Sequence, residues 1–84
     1  MNWTVVWTTS SQNHLATVWM DAADQQAVTL AANAIDSILK QDPYSLSESR
    51  SDNTRIMVVP PLGVAFDVSD LDCLVTVWSV WRFE

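Results

Sequence analysis

The last thirty residues, Arg55 to Glu84, leave this chain little choice but a β-sheet. They read Arg55-Ile-Met-Val-Val-Pro-Pro-Leu-Gly-Val-Ala-Phe-Asp-Val68, then Ser-Asp-Leu-Asp, then Cys73-Leu-Val-Thr-Val-Trp-Ser-Val-Trp-Arg-Phe-Glu84. β-Branched and aromatic residues dominate, and two turn signals divide the stretch into three runs of strand length. Arg55 to Val59 is predicted as one strand, Pro60-Pro61-Leu62 as a turn and Gly63 to Val68 as the next strand. Ser69 to Asp72 then turns the chain into a last strand, Leu74 to Arg82.

Alternation along these runs assigns faces. In the middle run Val64, Phe66 and Val68 form the apolar row, with Gly63, Ala65 and Asp67 opposite. In the preceding run Ile56 and Val58 are expected inward, and Arg55, Met57 and Val59 outward. The final run is apolar on both rows, Leu74, Thr76, Trp78 and Val80 against Val75, Val77, Ser79 and Trp81. A strand of that kind is central or covered by a partner, and either row leaves a tryptophan on the outer surface. An exposed apolar patch bearing tryptophan on a small acidic chain marks a protein interface.

The earlier residues read as cover for one face of the sheet. Trp3-Thr-Val-Val-Trp-Thr8 alternates with period two, so Trp3, Val5 and Trp7 are expected toward the core. Thr9-Ser10-Ser11 offers N-cap hydroxyls, and Leu15, Val18 and Trp19 lie on one helical stripe. His14 flanks that stripe with no acid or nucleophile beside it in sequence, which suits a partly exposed helix residue better than a catalytic base. After a break at Met20 to Asp24, the Ala-rich stretch to Lys40 is the long helix. Ala27, Ala31, Ala34, Ile35, Ile38 and Leu39 keep helical spacing there, and Asp42-Pro43 is the stop. Tyr44 to Thr54 is polar and Ser-rich, a loop containing Arg50.

Composition narrows the function. Ten Asp and Glu oppose four Lys and Arg, for a net charge of −6. Phosphate backbones reward clustered cations, and Lys40, Arg50, Arg55 and Arg82 are all this chain has, so direct nucleic-acid binding is not expected. One cysteine, Cys73, cannot form an internal disulfide, which fits a reducing cytoplasm. No signal peptide or membrane span is expected. Neither a metal nor an organic cofactor is implied by any cluster or motif. Residues 1–84 are read as a single α+β domain of order β-α-α-β-β-β, with an αα-hairpin on one face of an antiparallel sheet.

Along its whole length the chain also resembles the RelE/ParE superfamily, the toxins of type II toxin–antitoxin modules. The resemblance rests on Trp3-x-Val-x-Trp-Thr, His14-Leu15, Ala27 through Ile35-x-x-Ile38-Leu39-x-x-x-Pro43, Arg50-x-x-x-x-Arg55-Ile, Gly63-Val-Ala-Phe-Asp-Val68 and Val75-x-Val-Trp-Ser-Val-Trp-Arg82. It implies a cytoplasmic toxin of the kind encoded in plasmid-stabilization modules, silenced by an antitoxin that wraps it with helix and extended chain. RelE-type members cleave messenger RNA in the ribosome with basic and tyrosine side chains in a groove on the sheet. ParE-type members lack that set and inhibit DNA gyrase.

In the ribonuclease pattern only Arg55 matches on the first groove strand, where Met57 and Val59 take the other basic positions. Gly63 stands where an arginine opens the next strand, and Phe83 and Glu84 follow Arg82 with no tyrosine. Arg50, Arg55 and Arg82 are the candidate catalytic residues under the alternative of a ribosome-dependent endoribonuclease. Arginine stays protonated and makes no acid–base pair, so the reading preferred is a toxin that binds its target. Its expected partner surface is Arg55, Met57, Val59, Ala65, Trp78 and Trp81, facing an antitoxin and a target such as gyrase or the ribosome. A member that keeps the fold and binds a partner without toxicity is the remaining alternative.

Overall fold

The computed structural model describes residues 2–83. Two helices pack on one face of a five-stranded sheet. In chain order the elements are β1 (Thr4–Trp7), α1 (Thr9–Asp21), α2 (Gln25–Gln41), β2 (Glu48–Ser51), β3 (Thr54–Val59), β4 (Leu62–Ser69) and β5 (Leu74–Arg82). The sheet order is β1-β5-β4-β3-β2. All pairs are antiparallel except β1 with β5, which run parallel. The members of that one parallel pair are separated in the chain by both helices and by β2, β3 and β4, far more than the tight turn that joins antiparallel neighbours.

The expected α+β architecture is present, with one addition. The Ser-rich stretch predicted as a loop contains β2, a four-residue strand whose side chains are all exposed. Glu-Ser-Arg-Ser has no apolar alternation because β2 lies at the sheet edge and covers nothing. Asp52 and Asn53 turn β2 into β3, with Asp52 at φ 46°, in the left-handed region that aspartate tolerates better than most residues.

The hairpin covers the sheet with both helices, α1 against β5 through Leu15 and Val18 and α2 through its buried apolar row. Val28, Ala31, Ile35 and Leu39 repeat at helical spacing and are buried against Met57, Leu62, Val64, Phe66, Val68, Val75, Val77 and Val80. Each fully buried Val, Ile or Leu among them contributes roughly 1.5–3 kcal/mol. Ala27, predicted on the inner stripe, is exposed, and Val28 takes its place. The N-cap of the first helix lies one residue before the Thr9-Ser10-Ser11 stretch expected to supply it. Thr8 is its N-cap, accepting from the Ser11 amide at 3.1 Å, while the buried Ser11 hydroxyl donates back to the Thr8 carbonyl at 2.9 Å. Trp3, Val5 and Trp7 pack on the core as the alternation predicts.

Candidate functional site: the outer face of the sheet

The face turned away from the helices is set by two local events, a turn and a bulge. The turn joining β3 to β4 consists of Pro60 and Pro61 alone, so Val59 pairs with Leu62 and Met57 with Val64. Leu62 and Val64 belong to the core. Met57 and Val59 therefore face the helices, and Met57 is 2% exposed. This reverses the expectation that Arg55, Met57 and Val59 point outward. Counting Leu62 into the turn had shifted the pairing by one residue, and a one-residue slip exchanges the two faces of a strand. Ile56 and Val58 are the outward residues of β3, paired with Ala65 and Gly63.

The bulge lies in β5. Ala65 pairs with Ser79 and Phe66 with Val77, leaving Trp78 without a partner on β4. The extra residue switches the inward row partway along the strand. Val75, Val77 and Val80 all reach the core, while Trp78 and Trp81 share the outer face. Neither simple alternation considered for this strand describes it, because the row changes at Trp78. The Val80 amide beyond the bulge donates to His14 Nδ1 at 3.4 Å, so His14 takes up a bond near the ladder's irregularity.

Three cross-strand rows make up the outer face. Val58, Gly63 and Trp81 form one, and the Trp81 indole lies over Gly63 so closely that a Cβ there would sit 2.5 Å from its Nε1. Ile56, Ala65 and Ser79 form the second, extended at the edge by Glu48 of β2 opposite Ile56; Ala65 is buried although it stands outside the core cluster. Thr54, Asp67, Thr76 and Val6 form the third. Asp67 Oδ1 accepts from Thr54 Oγ1 at 2.7 Å and from Trp78 Nε1 at 3.2 Å, fixing a tryptophan that is 42% exposed. With Val6 and Val58 also exposed, this is an apolar, tryptophan-bearing surface.

The arginines lie elsewhere. Arg55 pairs with Phe66 and Arg82 with Leu62, so both stand on the helix-facing rows, four residues apart along β4, about 13 Å. Arg55 donates through Nε to Ser47 Oγ at 2.6 Å and through Nη2 to the Ser47 carbonyl at 3.0 Å. Its guanidinium lies 5.1 Å from the centroid of the Tyr44 ring, which meets Trp3 edge-on. Tyr44 in turn donates to Asp70, and that bond holds its phenol above the usual range. The cluster ties the 44–47 segment to the sheet, a role that sequence spacing did not reveal. Arg82 makes a two-point pair with Asp24 at 2.9 and 3.0 Å, and its donated hydrogen bond is the main cause lowering the Asp24 carboxyl. Arg50 is exposed on β2. Of the six residues expected at the partner surface, Ala65, Trp78 and Trp81 come together on the outer face, whereas Arg55, Met57 and Val59 do not. Ile56, Val58 and Asp67 join them, and the turn length was the signal that would have found the first two.

A second apolar surface opens between the helices, a cleft of about 560 Å³ lined by Leu15, Ala16, Trp19, Met20, Val28 and Ala32 among others. Trp19, predicted on the buried stripe, is 42% exposed there. Among the described residues no three His, Cys, Asp or Glu side chains gather to hold a metal, and no helix is long and apolar enough to cross a membrane.

No protein-family profile matches the chain, and no curated protein matches it by sequence. Solved structures do match over almost its whole length. A chain of the toxin–antitoxin complex RelBE2 from Mycobacterium tuberculosis is similar with a TM-score of 0.79 at 14% identity, covering 98% of this chain and 99% of that one. A chain of the chromosomal ParDE system from P. aeruginosa gives 0.73 at 13% identity, covering 98% and 97%. The isolated RelE toxin of E. coli gives 0.66 at 12% identity, covering 98% and 85%.

Proposed function

From the RelE/ParE-superfamily toxin fold that this chain adopts, we propose that it is the toxin component of a type II toxin–antitoxin module. It acts in the cytoplasm by binding a cellular target through the outer face of the sheet, and a cognate antitoxin neutralises it. Its action is closer to that of a ParE-like toxin than to a ribonuclease.

The observation that carries this reading is the division of labour between the faces. The outer face presents Ile56, Val58, Trp78 and Trp81 around Ala65, the combination of aromatic anchors and small residues that makes a protein contact surface. Attack of a ribose hydroxyl on phosphate needs a base, an acid and cationic stabilisation in one place. Arg55 and Arg82 are instead on the opposite rows, each engaged with its own partners at a different end of the sheet. A toxin built this way works by occupancy.

Expression of the chain alone, and together with the adjacent open reading frame, tests the proposal. Growth arrest that co-expression relieves, with messenger RNA intact by primer extension, is the expected result. Cleavage of messenger RNA by the purified chain in a translation reaction would restore the ribonuclease alternative. Unimpaired growth would leave only the non-toxic binding domain.

A further inference from the structure

Asp67 is the only charged side chain in β4, the central strand, and it is exposed on the outer face. Both hydrogen bonds that it accepts, from Thr54 and Trp78, fall on Oδ1. Oδ2 receives none from any described residue, on a face that also presents Ile56, Val58, Ala65, Trp78 and Trp81. Three of the four cations are committed elsewhere: Lys40 to Asp36, Arg55 to Ser47 and Tyr44, Arg82 to Asp24. The fourth, Arg50, stands on the edge strand β2, two strands away in the sheet order. The centre of the face thus carries a carboxylate with no ion-pair partner among the described residues.

We propose that Asp67 is the polar anchor of this face. Its Oδ1 positions the Trp78 indole, and its Oδ2 receives a lysine or arginine from a partner segment whose other contacts are aliphatic. The proposal rests on the outer face being the partner surface and specifies that partner's chemistry. Charge complementarity selects the occupant. A second copy of this chain, docked face to face about a two-fold axis, would bring Asp67 toward its own image between bodies of net charge −6. A basic, leucine-bearing helix or strand meets no such opposition and closes the open valence of the carboxylate.

The test uses the purified chain and the product of the adjacent open reading frame, with affinity measured across a range of salt concentrations. Asp67→Asn keeps an oxygen for Thr54 and Trp78 but removes the charge. It is expected to weaken binding about tenfold and flatten the salt dependence, with thermal midpoint and tryptophan emission unchanged. Asp67→Ala, which also releases Trp78, weakens binding further and shifts the emission. Wild-type affinity in Asp67→Asn, while Trp78→Ser still weakens binding, overturns the cation proposal and leaves the face intact. If neither change matters, the face itself is the wrong surface. Self-association of the free chain in analytical ultracentrifugation, strengthened by Asp67→Asn, would overturn the proposal in favour of a second copy.

Discussion

Gly63 is the position where one added carbon reports most on the outer face. A Cβ at Gly63 would lie 2.5, 2.6 and 2.8 Å from Nε1, Cε2 and Cζ2 of Trp81, all inside contact distance. These atoms belong to the body of a rigid indole, so Gly63→Ala requires the whole ring to tilt or leave. Crowding of this kind costs about 1–3 kcal/mol. Replacing a strand glycine by alanine recovers roughly 0.5–1 kcal/mol of chain entropy. The net expectation is a loss of about 1–2 kcal/mol, or roughly 4–16 °C in thermal midpoint for a domain of this size. Urea denaturation followed by circular dichroism measures it, and tryptophan emission should move red as Trp81 is exposed. Trp81→Val in the Gly63→Ala background should recover most of the loss, giving a coupling of at least about 1 kcal/mol. Unchanged or raised stability in Gly63→Ala, with no coupling to Trp81, would refute the stacking of Trp81 on β4 and the register that produces it.

Further expectations concern the two faces of β3 and the acid limb of stability. Met57→Ala, on the core side, should cost about 2–5 kcal/mol, whereas its exposed neighbour Val58→Ala should cost under about 1 kcal/mol; the reverse order in urea titrations would return β3 to the opposite register. Asp36 accepts from Lys40 and from the Trp7 indole. Burial works to raise its carboxyl, but those two hydrogen bonds outweigh it and hold the group below the reference value of 3.8. Because the folded carboxyl is the more acidic, its contribution is full above that value and is lost as pH falls through the lower folded one. Urea midpoints should therefore be flat above about pH 5 and decline below about pH 4, and Asp36→Asn should shallow that decline. An unchanged acid limb in Asp36→Asn would count against the Asp36 contribution.

The parts of this fold legible in the sequence were those with one apolar row. Val64, Phe66 and Val68 in β4, Trp3, Val5 and Trp7 at the start, and Ala31, Ile35 and Leu39 in α2 each had a single face that water would reject. Where both rows were apolar, the pattern carried no preference. In β3 the choice passed to the length of the proline turn, and in β5 to a bulge at Trp78 that no periodicity announces. The edge strand β2 was invisible because its side chains bury nothing, and backbone pairing alone makes it a strand. The arginines were misplaced for another reason. The partner that engages Arg82 lies 58 residues away, at Asp24, and those of Arg55 belong to the 44–47 segment just ahead of β2. Only the folded chain brings them together.

Two apolar surfaces could receive the proposed partner, the sheet's outer face and the cleft between the helices, and one comparison separates them. The affinity of the adjacent gene's product is measured by titration calorimetry for Trp78→Ser, Trp81→Ser, Trp19→Ser and Arg50→Ala. With the contact on the outer face, Trp78→Ser and Trp81→Ser each weaken binding by about tenfold or more, as expected for aromatic anchors. Trp19→Ser and Arg50→Ala then stay close to the parent chain. A large loss from Trp19→Ser, with Trp78→Ser and Trp81→Ser binding normally, would contradict the account and move the interface to the helical cleft.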